Sequence, residues 1–344
     1  MDIYKKLLAT INRIVAISLM LFSFVTVSSV NAAENAITKA DAPVDAVQVK
    51  KHAKYSKKGA DTCLACHDAD SEFPVLNIFK TPHGLQSKKT GGHTPFAQKQ
   101  CETCHGPAGK HTVKRVRKGQ KREDMIDFGR NSNIPVAEKN KVCASCHTKK
   151  AKAHFDGGIH QVNDVACTDC HKVHQPKDPM LSNDTQVTGC VDCHKSKKLA
   201  TRKFSTHPLK TGQMGCTSCH APHGNDNDKM LNHETVVGTC TECHAGKRGP
   251  FLFEHQPASE DCTLCHSAHG SNQQGMLTQR APYLCQNCHS AQGHPSVAKD
   301  SNGLIERRFP AQKTGSAFLL GKSCTSCHSK IHGSNHPSGN KLQR

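Results

Sequence analysis

The chain has 344 residues, of which 35% are hydrophobic and 4% aromatic, with no Trp and a mean hydropathy of −0.59. Apolar burial is what offsets chain entropy, so this stock is too poor for an ordinary core at this length. The formal net charge of +18 would suit nucleic acid or an anionic membrane, but no nucleic-acid motif or aromatic interleaving accompanies it, and nucleic-acid binding is excluded.

Residues 1–32 read as a secretory signal peptide: Lys5, Lys6 and Arg13 make the positive region, Ile14 to Val27 the apolar run, and Val30-Asn31-Ala32 the small-residue cleavage site. The alternative, an uncleaved anchor, fits less well. The run is 14 residues long and broken by Ser18, Ser23 and Thr26, where a span takes about 20. Residues 33–62 form a motif-free lead-in rich in Ala, Lys and Asp, compatible with disorder or a short helix. The remaining domain, 63–344, is organised around one motif.

That motif is Cys-x-x-Cys-His. It runs from Cys63, Cys66 and His67 through Cys101, Cys104 and His105; Cys143, Cys146 and His147; Cys167, Cys170 and His171; and Cys190, Cys193 and His194. It continues with Cys216, Cys219 and His220; Cys240, Cys243 and His244; Cys262, Cys265 and His266; Cys285, Cys288 and His289; and Cys324, Cys327 and His328. Ten motifs account for all 20 cysteines. Structural zinc or a disulfide framework could use the cysteine pairs, but neither needs a histidine after the second cysteine, ten times in ten. The pattern is the attachment signature of c-type haem: two thiols about one helical turn apart form thioethers, and the next His is the proximal iron ligand. Ten covalent haems are therefore expected, and as large apolar bodies they should form the core. Each also brings two propionates, counterions for much of the Lys and Arg.

The motifs repeat in pairs. Starts at Cys63, Cys143, Cys190, Cys240 and Cys285 are each followed by a partner at Cys101, Cys167, Cys216, Cys262 and Cys324. One histidine leads the second motif of each unit (His83, His160, His207, His255, His294) and one trails it (His111, His174, His223, His269, His332). These ten are the candidate distal ligands of bis-histidine haems. His174, His223 and His269 follow a proximal His by only three positions, so they are expected to cap a neighbouring iron. His52, His93, His154, His233 and His336 fall outside the repeat and read as surface residues.

Between motifs the chain is turn chemistry, as in Gly91-Gly92, Gly157-Gly158 and Pro222-His223-Gly224. The expected fold is a multihaem cytochrome c: an elongated, haem-packed chain of short α-helices and coil with little or no β, built of five two-haem units. The basic run Lys114, Arg115, Arg117, Lys118, Lys121 and Arg122 reads as a solvated loop or as a dock for an acidic partner or exposed propionates.

The chain resembles the periplasmic decahaem cytochromes of bacterial porin–cytochrome conduits, the MtrA and DmsE family. Beyond the motifs, the likeness rests on Tyr55-Ser56-Lys57-Lys58-Gly59-Ala60-Asp61, Cys104-His105-Gly106-Pro107, Ser205-Thr206-His207-Pro208-Leu209, Lys247-Arg248-Gly249-Pro250 and the closing His332-Gly333-Ser334-Asn335-His336-Pro337-Ser338-Gly339. The basic run after His111 is longer and more charged than the family pattern. The resemblance implies bis-histidine ligation and a periplasmic, outer-membrane-associated electron carrier. It would take electrons from a periplasmic or inner-membrane quinol-linked donor, pass through an outer-membrane β-barrel porin, and deliver them to an extracellular multihaem cytochrome or a surface reductase, metal-reducing or reducing dimethyl sulfoxide. The rival class is a multihaem enzyme of the nitrite or hydroxylamine type. An enzyme needs an open iron position, seen as Lys replacing a proximal His or as too few distal ligands, and neither occurs here. Haem storage is incompatible with covalent attachment.

Overall fold

The computed structural model describes residues 54–85, 94–113, 115–119, 122, 125–148, 154–290 and 324–339. The signal peptide, the lead-in before residue 54, His52, His93, His294, Lys114 and Lys121 lie outside the described residues.

Each motif folds as a turn of helix, in one of two settings. The first motif of a unit sits at the end of a helix: Cys63 in Ala60–Leu64, Cys143 in Val136–Ala144, Cys190 in Asn183–Cys193, Cys240 in Val236–Thr241 and Cys285 in Tyr283–Gln286. The second motif opens its own turn, α-helical in Cys101–His105 and Cys167–Cys170 and 3₁₀ in Cys216–Ser218, Cys262–Leu264 and Cys324–Ser326. In both settings the histidine N–H closes on the carbonyl of the first cysteine, as at His67, His171, His220 and His328, at 2.9 to 3.0 Å. The turn puts both sulfurs on one side, as residues three apart on a helix must be.

These helices are short because little lengthens them. Among the described residues the longest spans 11 residues, Asn183–Cys193, and isolated helices of that size are marginal without tertiary packing. Polar side chains bind the two motifs of a unit instead. Asn140 Oδ1 accepts the Cys167 N–H at 2.8 Å, and Gln186 Oε1 accepts from the Thr217 N–H and hydroxyl, both at 3.0 Å. In the first unit the buried Glu102 carboxylate takes the Ser56 hydroxyl at 2.7 Å and the Ala108 N–H at 2.7 Å.

As expected, there is no strand among the described residues, only isolated antiparallel bridges. Ser205 bridges Ser271, and Phe253 bridges Ser334. The buried apolar side chains there are Ala60, Phe96, Ala108, Ala166 and Val191, while Phe204 is 82% exposed and Leu181 79%. Among the described residues the polypeptide does not supply a hydrophobic core of its own, as the composition predicts.

Candidate functional site

The motif sulfurs meet in a regular order. Within a unit the first cysteines touch: the thiol of Cys63 hydrogen-bonds to Cys101, Cys190 to Cys216, Cys240 to Cys262 and Cys285 to Cys324. The bond pushes Cys63 and Cys190 up and draws Cys101 and Cys216 down to about 7. Burial pushes Cys240 up to about 12 and Cys285 to about 11, and the partner thiol adds to each. Between units the second cysteines approach. Burial raises Cys104, Cys170, Cys219 and Cys265, and each also feels the next unit's sulfur, from Cys146, Cys193, Cys243 and Cys288 respectively. Among these motifs the hydrogen bonds within units and the approaches between units alternate, so motifs successive in sequence lie near one another.

The histidines form a second, independent pattern. Nine motif histidines each face one repeat histidine, with ring centroids 5.9 to 6.3 Å apart: His67 with His111, His105 with His174, His147 with His83, His171 with His223, His194 with His160, His220 with His269, His244 with His207, His266 with His332 and His289 with His255. A metal sits about 2.0–2.1 Å from a ligating imidazole nitrogen, itself roughly 1.1 Å from the ring centroid, so two axial imidazoles on one iron stand about 6.3 Å apart. The observed spacing leaves room for one iron between each pair, whereas rings in direct contact could close further. His294, the repeat histidine expected for His328, lies outside the described residues.

The rings are also prepared chemically. Burial lowers the pKa of His105, His174, His269 and His332, favouring the neutral ring that a metal requires. Backbone carbonyls accept one ring nitrogen of His105 (Ile126, 2.8 Å), His160 (Pro222, 2.8 Å), His207 (Ala268, 3.1 Å), His220 (Lys229, 3.0 Å) and His266 (Gly275, 2.7 Å), which leaves the other nitrogen for ligation. His154, His233 and His336, which fall outside the repeat, are exposed. His233 lies 3.4 Å from Glu242, and His336 accepts the Ser338 N–H at 3.1 Å.

The pairing crosses unit boundaries by a rule. The leading histidine of one unit faces the first motif of the next, and the trailing histidine of that next unit faces the second motif of the one before. Both lie on one clasp. Ser205, two residues before His207, exchanges backbone hydrogen bonds of 2.8 and 2.9 Å with Ser271, two residues after His269. Phe253 and Ser334 do the same at 2.9 Å beside His255 and His332. His174, His223 and His269, expected to cap a neighbouring iron, face the rings of His105, His171 and His220 rather than the motif histidine beside them. Sequence reading did not find the clasp residues, nor the ring contact from His171 to Asp178. Aligning the units on their Met-Leu pairs (Met180-Leu181, Met230-Leu231, Met276-Leu277) would have revealed the latter.

Known protein families match the chain over its Cys-x-x-Cys-His motifs. A "Doubled CXXCH motif" family matches residues 207–249 and 255–294, and "Cytochrome c-type protein NrfB-like" matches 101–187. The multiheme cytochrome MtrA of Shewanella baltica is 44% identical over 305 residues, covering 88% of this chain and 86% of that protein. The chain belongs to the MtrA family of multihaem cytochromes. As in that family, it carries covalent c-type haems and is an electron-transfer protein, not an enzyme. The residues fit such a group on three counts: paired sulfurs on a turn, an iron-sized gap between rings, and apolar side chains that the polypeptide leaves uncovered.

Proposed function

We propose that this member of the MtrA family holds ten haems, one per motif, each iron lying between a motif histidine and its facing repeat histidine, with His294 serving His328. Thioethers form at the two cysteines of every motif. When bound, the haems supply one-electron ferric/ferrous exchange. The chain's own part is to hold them as closed, six-coordinate sites, and the hydrogen bonds between first cysteines, with the second cysteines near those of the next unit, support an order that follows the motifs. The observation that carries this reading is the iron-sized spacing of the nine histidine pairs. Pyridine haemochrome assay with intact mass should return ten haems, and the ferric protein should be low-spin throughout. A count of eight, or bound zinc, overturns it, and a stoichiometric high-spin haem would favour the enzyme reading.

We infer further that the protein works on the periplasmic side of the outer membrane. It accepts electrons from a periplasmic or inner-membrane quinol-linked cytochrome and delivers them through a β-barrel porin to an extracellular multihaem cytochrome or surface reductase. Family membership supports this route. Among the described residues no helix is long and apolar enough to cross a membrane. A closed barrel with a polar lumen is the kind of sheath through which a polar haem chain could reach the far side. Vesicles enclosing a reducible dye test the idea: an external donor should reduce the dye only when barrel and cytochrome are both inserted. Equal reduction with the barrel alone overturns it. Turnover with a purified metal-reducing decahaem cytochrome or with a dimethyl sulfoxide reductase separates the two branches.

A further inference from the structure

Three second motifs run on to the same Met-Leu pair, but the way they hold the motif histidine differs. His220 donates its Nδ1–H to the Lys229 carbonyl at 3.0 Å, and His266 donates to Gly275 at 2.7 Å. Both acceptors belong to residues at positive φ, 54° and 66°. In the unit of His171, counting back from Met180-Leu181 puts Pro179 at that place. The proline ring holds φ near about −65°, so this backbone cannot present its carbonyl in the same way. The side chain one residue earlier takes over: His171 Nδ1 donates to Asp178 Oδ2 at 2.5 Å. Asp178 is only 18% exposed, and its other oxygen is fixed by the Met180 N–H at 3.0 Å. Lys172 does not neutralise it, since its ammonium is directed to the Thr168 and Asp169 carbonyls at 2.9 and 3.1 Å.

We propose that Asp178 is a positioning residue that sets the haem of Cys167, Cys170 and His171 at a lower reduction potential than its counterparts at His220 and His266. A carboxylate accepting the ring N–H draws that proton away and makes the imidazole a stronger donor than a neutral carbonyl does. The ferric iron, one positive charge richer than the ferrous, is stabilised more, and the potential falls. Ring orientation does not separate the three sites, because their histidine pairs are all nearly parallel, at 13°, 6° and 13°. An electron moving in motif order would therefore meet a less favourable site where the second unit joins the third. This rests on the bis-histidine assignment above.

The test is a redox titration of the full holoprotein followed by paramagnetic resonance and visible absorption. Asp178→Asn should move one haem equivalent to higher potential, with haem content and low-spin spectra unchanged. Asp178→Ser, which keeps an oxygen for the Met180 N–H and removes the charge, should give the same shift. Asp169→Asn removes a charge that lies 3.4 Å from Arg130 and makes no ring contact, so its shift should be smaller. Variant titrations that superimpose on the parent, or an Asp169→Asn shift as large as that of Asp178→Asn, overturn the proposal. Should neither Asp178 variant retain its haem, the parent decides. Replacing His223, His269 or His332 by Met in turn removes one component each, and a His171 haem that is not the lowest of the three overturns the assignment. A high-spin haem in the parent would instead sink the bis-histidine reading itself.

Discussion

An axial imidazole donates π electrons perpendicular to its ring, so the angle between two such rings decides how far an iron's paired d orbitals split. Parallel rings add their effects and give a rhombic resonance spectrum; crossed rings cancel and give a highly anisotropic signal. Five histidine pairs lie within 22° of parallel, and four are crossed by 48° to 73°. The ferric protein is therefore expected to show two low-spin classes in comparable amounts, and a single class would contradict the pairing. At the same scale, His223→Met should take one haem out of the rhombic class and raise its potential, since Met in place of His is a potential-raising ligand. His233→Met, at an exposed ring beside Glu242, should leave the resonance spectrum as it was.

At the scale of elements the clasps do what helices do elsewhere. Gly270 sits at φ 125°, a conformation nearly closed to other residues, and a Cβ there would collide with the Ala200 carbonyl. Gly333 at φ 131° meets the Phe251 ring in the same way. Gly270→Val should cost about 1–3 kcal/mol in backbone strain alone and should open the Ser205–Ser271 bridge. His207 and His269 flank that bridge but face different motifs, at His244 and His220, so the variant should show up to two high-spin haem equivalents. Gly246→Ala, where nothing lies within 4 Å, should show none. The motifs, the two-motif period and the nine repeat histidines that face a motif ring were legible in the sequence, because Cys-x-x-Cys-His is a local signal whose chemistry fixes its spacing. The clasps were not. Each joins two or three residues from different units, too short for an alternating pattern, and its glycines read only as turns. Asp178 escaped for a similar reason: its role follows from Pro179 denying a backbone acceptor, which no single motif reveals.

For the whole molecule, the poor apolar composition and the few buried apolar side chains among the described residues imply that the haem-free chain does not fold, because apolar burial must offset the ordering of the backbone. The chain made without haem attachment should give the circular dichroism of a coil and rapid proteolysis. The exchange of histidines across boundaries has a stronger consequence. In most repeat arrays stability is a sum of unit and nearest-neighbour contributions, and a terminal unit can be cut off without touching the chemistry of the rest. Here a cut before Tyr283 removes the last two motifs and also His332, the partner of His266. It takes away His289 as well, the ring that His255 faces, and Ser334, which bridges Phe253. The shortened protein should hold eight haems, with about one high-spin equivalent, at His266. If His255 folds back to close that iron, the high-spin signal should appear only once His255→Ala is added to the cut. Eight low-spin haems in the shortened protein with His255→Ala would mean that the iron at His266 is closed by a residue other than His332, and the exchange of ligands across that boundary would be wrong.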